Sequence, residues 1–357
     1  MSLNKSSEEL NATVVVATLD APIPNGKNAI WCASFQSAWK ALEELAGESI
    51  AFDELPGVAK SLNDGTDPRP HVPQGALYAA AGWNRNGFTN QIQNDLKQRF
   101  PDKTPPTFPG ILPESLVAYA YLEANVKFPL PYDQNRRPLV FTESGGKKVE
   151  VESFGLSAAN HNGQDKLWGQ PHVLFRKGEP GEHNFEFAID LCSNSFPSQI
   201  VVARTAREST LAAALAHIEK EIAETQELVG LEALRLHKIQ SIDTLLVPDF
   251  HWAIANHLTE LEGKTFTNKK LKTQRMGVAQ QDILFRLDKS GAALRSDAKS
   301  YDTGIPTAFF LDRPFLVYMK KRGAEMPYFV MWVDNAELMR LWQVTQSSSP
   351  NNESAAQ

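Results

Sequence analysis

The stretch Thr307-Ala-Phe-Phe-Leu-Asp-Arg-Pro-Phe-Leu-Val-Tyr-Met319, with Met326-Pro-Tyr-Phe-Val-Met-Trp-Val333 close behind it, decides the fold class of this chain. Phe315–Met319 and Tyr328–Val333 are unbroken apolar runs of strand length, rich in aromatic and β-branched side chains, so both read as buried strands. Outward from them, Asp282–Leu287, Thr244–Val247, Ile200–Ala203 and Thr13–Thr18 read as strands, and Leu116 to Val126 as a long, largely buried one. Helical spacing sets in elsewhere. Phe35, Ala38, Trp39, Leu42 and Leu45 predict a helix over Ser34–Leu45, with Ser34 as N-cap and Gly47 just past its end. Weaker spacing predicts a helix over Asp53–Leu62, another over Asn90–Phe100 ended by Pro101, and a strong one over Ser209–Val229. Asn63–Gln74 is loop, hairpin turns fall near Ser144–Lys147 and Gly178–Gly181, and a last helical piece starts at Ala336. Strands and helices follow no regular βαβ rhythm. The class is α+β.

Composition removes several functions. Lys plus Arg number 36 against 42 Asp plus Glu, a net charge of −6, which disfavours a nucleic-acid partner. The best basic cluster, Lys264, Lys269, Lys270, Lys272 and Arg275, reads as a solvated loop. No stretch reaches 18 uninterrupted apolar residues, so no membrane partner is expected. Met1 to Ser7 lacks the apolar core of a signal peptide, which leaves localisation open between the cytoplasm and secretion with a leader removed. Cys32 and Cys192 are too far apart for a metal or redox motif and read as buried free thiols.

Scans for chemistry return little. Gly263-Lys264-Thr265 imitates the end of a phosphate loop, but Leu258 stands where its first glycine belongs. There is no Gly-x-Ser-x-Gly elbow and no His-Glu-x-x-His. His251 and His257, six apart, fall on different faces of a helix. His161, Asp165 and His172 share a polar stretch that suits a surface loop better than a hydrolytic or metal site. Glu43 and Glu44 lack the apolar surroundings that would raise a carboxyl pKa. No enzyme, no cofactor and no metal is expected.

The order of segments says more than any motif. The quoted stretch around Asp312-Arg313-Pro314-Phe315 resembles the carboxyl-terminal signature of serpins, and Ile283-Leu-Phe-Arg-Leu-Asp-Lys-Ser-Gly-Ala-Ala293 resembles the strand and hinge that precede their reactive loop. Asn28 to Leu42 resembles the strand leading into the second serpin helix. Leu116 to Pro131, with Val140 to Val151, resembles the central strand and the hairpin after it, and Leu245-Leu-Val-Pro-Asp-Phe250 a further serpin strand. The resemblance implies one serpin-like α+β domain over residues 11–342, with a large mixed or antiparallel sheet, smaller sheets and surrounding helices, followed by a disordered polar tail at 343–357. Departures accompany it. The long first helix has no counterpart, the passage from Phe108 to Leu116 is too short for the helix that crosses the main sheet, and Val126 stands where a tryptophan is expected.

From the resemblance, Gly291, Ala292, Ala293, Leu294, Ser296 and Ala298 form the hinge of a reactive loop at about 292–304, and Thr303–Gly304 is the candidate scissile bond. Alternation permits Ala292, Leu294, Ser296 and Ala298 to face a core while Arg295, Asp297 and Lys299 face outward. Charge in that second set, and Lys289 where an acid is usual, run against the small-residue hinge that insertion favours. Two readings follow: a protease inhibitor whose partner is a serine or cysteine protease, or a non-inhibitory binding or scaffold protein. An unrelated α+β enzyme built around His161–His172 is a third. The chain is expected to be a monomer.

Overall fold

A computed structural model describes residues 3–125, 127–157, 165–182, 184–227, 236–290 and 306–343. The quoted stretch lies at the centre of a seven-stranded sheet. Its order is β10 (His172–Lys177), β11 (Glu186–Asp190), β12 (Ser198–Arg204), β17 (Phe315–Lys321), β18 (Pro327–Val333), β3 (Asn28–Cys32) and β2 (Thr13–Val15). All neighbours are antiparallel except β2 and β3. Every residue of β18 is buried, which explains why it reads as a continuous apolar run and not as an alternating one.

A five-stranded sheet packs against it, in the order β1 (Leu3–Ser6), β14 (Phe250–His257), β15 (Met276–Leu287), β5 (Leu116–Asn125) and β4 (Leu77–Trp83). Odd-numbered residues of β15 and even-numbered residues of β14 and β5 point back into the core. There Phe285 stacks on Phe329 with ring centroids 4.7 Å apart and planes 12° apart, and Trp252 lies 5.3 Å from Phe285. This aromatic cluster joins the two sheets. A four-stranded sheet, β16 (Ala308–Phe310), β13 (Thr244–Pro248), β9 (Ser153–Ser157) and β6 (Asp133–Gln134), and the hairpin β7 (Leu139–Thr142) with β8 (Lys148–Val151) complete the strands. Gly155 in β9 has φ 154°, and a Cβ there would lie 1.8 Å from the Leu245 carbonyl oxygen, so only glycine lets β13 approach.

Among the described residues five α-helices surround these sheets. α1 (Ala33–Ala46) continues straight from β3 and lays Phe35, Trp39 and Leu42 behind the lower half of the five-stranded sheet, ending on Gly47 at φ 77°. α2 is Gly57–Asp64, α3 Phe88–Arg99, α4 Asp165–Trp168 and α5 Leu211–Gln226. α3 and the chain after it place Ile92, Leu96, Phe100 and Phe108 on the front of the five-stranded sheet, over Tyr78, Tyr119 and Tyr121. A helix therefore does cover that face, supplied before residue 100 and not between Phe108 and Leu116.

Three expectations are corrected. Ser34 does not cap α1; Cys32 holds the N-cap position without a side-chain bond, and the Ser34 hydroxyl goes elsewhere. The helix foreseen from Ala336 is absent, because Met339 bridges to Phe250 and Leu341 to Val151, where backbone pairing outcompetes a short local helix. The segment around His251 is strand β14, which the sequence reading missed.

Candidate functional site

The two ends of the segment that the resemblance marks as a loop are firmly tied. At the first, Asp288 accepts from the Arg286 Nε at 2.6 Å and from the Ser290 backbone N–H at 2.8 Å, while the Phe128 and Tyr132 amides donate to the carbonyls of Ser290 and Lys289. Burial opposes ionisation of Asp288, yet the bonds from Ser290 and Arg286 hold its carboxyl below the ordinary value. At the second end, Thr307 is buried, its amide donates to Asp243 Oδ1 at 2.7 Å, and its carbonyl accepts from Thr244 before β16 runs parallel to β13. Gly291, Ala292, Ala293, Leu294, Ser296, Ala298, Thr303 and Gly304 lie outside the described residues, as do Val126 and His161.

Between β5 and β15 runs a parallel seam, with Val278–Arg286 in continuous register against Val117–Asn125. On its front face Asp282 is 8 % exposed and takes three donors. Tyr119 Oη and Lys103 Nζ each donate to Oδ2 at 2.8 Å, and Gln280 Nε2 donates to Oδ1 at 2.8 Å. Lys103 also lies over the Tyr121 ring, 4.1 Å from its centroid. Burial, and then the Asp282 charge, push the Tyr119 phenol well above its ordinary pKa, so it stays a donor. On the back face Gln281 Oε1 accepts from Ser34 Oγ at 3.1 Å and from Cys32 Sγ at 3.3 Å. Burial pushes the Cys32 thiol up to about 11 against the opposing bonds from Ser34. It is a packed thiol and not a nucleophile.

The other sequence candidates separate. His251 and His257 sit on β14, where an even spacing puts both on one face; His257 Nδ1 pairs with Glu262 at 3.0 Å, which raises its pKa despite partial burial. His172 is half-buried on β10 with its ring stacked 5.0 Å from His237, and burial followed by that neighbour lowers its pKa. Lys264 pairs with Glu54 at 3.5 Å, Lys269, Lys270 and Lys272 are exposed in turns, and Arg275 is exposed in an isolated bridge to Thr265. No group of three His, Cys, Asp or Glu able to hold a metal occurs among the described residues, and no described helix is long and apolar enough to cross a membrane. The polar seam is the feature that sequence reasoning missed; only the Gln280-Gln281-Asp282 triplet inside a predicted strand signalled it.

No protein-family model matches the chain, and no curated protein matches it by sequence. Solved structures do match by fold. The native state of tengpin, a thermophilic serpin, is 13 % identical with a TM-score of 0.52 over 88 % of this chain and 90 % of that one. Mouse protein-Z dependent protease inhibitor is 12 % identical with a TM-score of 0.51 over 86 % and 91 %. The fold is α+β and serpin-like.

Proposed function

We propose that residues at about 292–304 form a reactive loop that serves as bait for a serine or cysteine protease, and that the hinge Gly291–Ala298 joins the five-stranded sheet between β5 and β15 once the loop is cut near Thr303–Gly304. The observation that carries this reading is the parallel pairing of those two strands. A chain that leaves the end of β15 and doubles back alongside it runs antiparallel to β15 and, because β5 is parallel to β15, antiparallel to β5 as well. Antiparallel neighbours need only a short turn, so the hinge can enter the seam without a crossover. Length permits it: the thirteen residues 291–303 on the hinge side of the cut, at roughly 3.3 Å each, exceed the ten-residue β5. The fold is shared with solved serpins, one of which is a protease inhibitor.

Incubation with a panel of serine and cysteine proteases is expected to give a complex that survives SDS with at least one of them. Clean cleavage by every protease, with no complex, would overturn the inhibitory reading. A second reading, a non-inhibitory binding or scaffold protein, is favoured by Arg295, Asp297 and Lys299 in the hinge and by the bonds that Asp282 draws across the seam. Nicking the loop separates the two: a large rise in melting temperature supports insertion, and an unchanged one supports the scaffold.

A further inference from the structure

At the lower edge of the five-stranded sheet the N-terminal segment, α2 and the end of β14 enclose a cavity of about 290 Å³. Its apolar walls are Val15, Ala17, Val58 and Leu258. Thr18, Ser61, His257, Thr259 and Glu260 supply polar lining, and the most buried polar side chain in it is Asn256. This residue follows Trp252 and Ile254 on the buried parity of β14, is 8 % exposed, and makes no side-chain hydrogen bond among the described residues. Its amide atoms are not sealed from solvent, so the fold leaves here one donor group and one acceptor open to the cavity. The charges nearby are committed or peripheral. His257 is held by Glu262, which also accepts from the Ala279 amide at 3.0 Å, and Glu260 is exposed at the rim.

We infer that this cavity binds a small neutral molecule that carries a carboxamide, or a comparable donor–acceptor edge, on a branched apolar body. An edge with one donor and one acceptor answers both halves of the Asn256 amide, whereas a charged group would find only His257, already paired with Glu262, and the exposed Glu260. The volume holds on the order of ten water equivalents, which sets the size of the ligand at the small end of ordinary sites. Loss of this site leaves the reactive-loop reading untouched, since no residue of the loop or its two described ends lines the cavity and Asn256 lies at the end of β14 away from Phe250.

The test titrates isobutyramide into the full chain and follows backbone amide signals by NMR, with isobutyrate and isobutylammonium as charged probes of the same shape. Expected is a saturable shift of the Val15, Ala17, Val58 and Leu258 signals at millimolar isobutyramide, at least about tenfold weaker for either charged probe. N256L removes the amide and V58W fills the cavity from a half-exposed position on α2; each is expected to weaken the shift at least about tenfold while the melting curve stays cooperative. If N256L fails to fold, V58W decides alone. No saturable shift, equal response to the three probes, or binding unchanged in V58W would each overturn the proposal.

Discussion

The two large sheets solve the problem of burial in opposite ways. The centre of the seven-stranded sheet is antiparallel and apolar, and all of β18 is buried behind Phe329, Val330, Met331 and Trp332. The centre of the five-stranded sheet is a parallel seam with three consecutive polar residues, Gln280, Gln281 and Asp282, at 6 %, 1 % and 8 % exposure. An apolar sheet gains nothing by parting, because every separation exposes hydrocarbon to water. The polar seam adds specific side-chain bonds to its continuous backbone register, and on the proposed function an entering strand would have to replace both. The apolar sheet serves here as the scaffold and the polar seam, on the proposed function, as the joint.

The largest effect is expected in the scaffold. Phe329 is fully buried against Phe285 and Trp252, so F329A is expected to cost about 3–5 kcal/mol in denaturant-derived stability. A cost below about 1 kcal/mol would remove the distinction between the sheets. The next effect is expected in the joint. D282A leaves Lys103 Nζ and the buried Tyr119 hydroxyl without their acceptor, at about 2–3 kcal/mol. Combining D282A with Y119F sharpens the comparison: the double variant is expected to lose less than the sum of the two singles, since both remove one shared bond. Strict additivity would mean the bond across the seam contributes nothing.

The scaffold was readable from the chain because its signal is local. Six consecutive apolar residues at 328–333 are enough, and Phe35, Trp39 and Leu42 recur at helical spacing without help from elsewhere. The polar seam was not readable, because its partners are far apart in the chain. Tyr119 and Asp282 stand 163 residues apart, so no spacing rule brings them together. β14 was missed because Ala253, Ala255 and Asn256 are poor strand formers; only its alternation of buried and half-exposed positions betrays it, and that alternation is imposed by the neighbouring strands. The ordered segments nevertheless pointed to the right fold, since strand order survives where individual side chains do not.

The smallest expected effect asks whether every buried polar group in the five-stranded sheet is as well served as Asp282. Asp249 precedes β14, where its amide donates to the Glu152 carbonyl and its own carbonyl accepts from Arg340. Its carboxyl is 1 % exposed. Oδ2 accepts from Gln134 at 3.1 Å, but Oδ1 has no partner among the described residues. Burial pushes its pKa up to about 6; Glu152 and Asp288 add to the rise, and Gln134 and Arg340 oppose it. A carboxyl raised in the folded state is charged there only at a cost, so the native state gains stability as pH falls through about 6 toward 4, where it holds a proton that the unfolded chain does not. D249N removes that charge permanently. The variant is therefore expected to exceed the parent by about 2 kcal/mol at pH 7.5, with the gap closing near pH 4. Measuring both proteins in urea across that range isolates the difference from every other titrating group. A gap that stays constant with pH, or widens in acid, would mean that Asp249 is as well compensated as Asp282, and that polar burial is uniform across the joint.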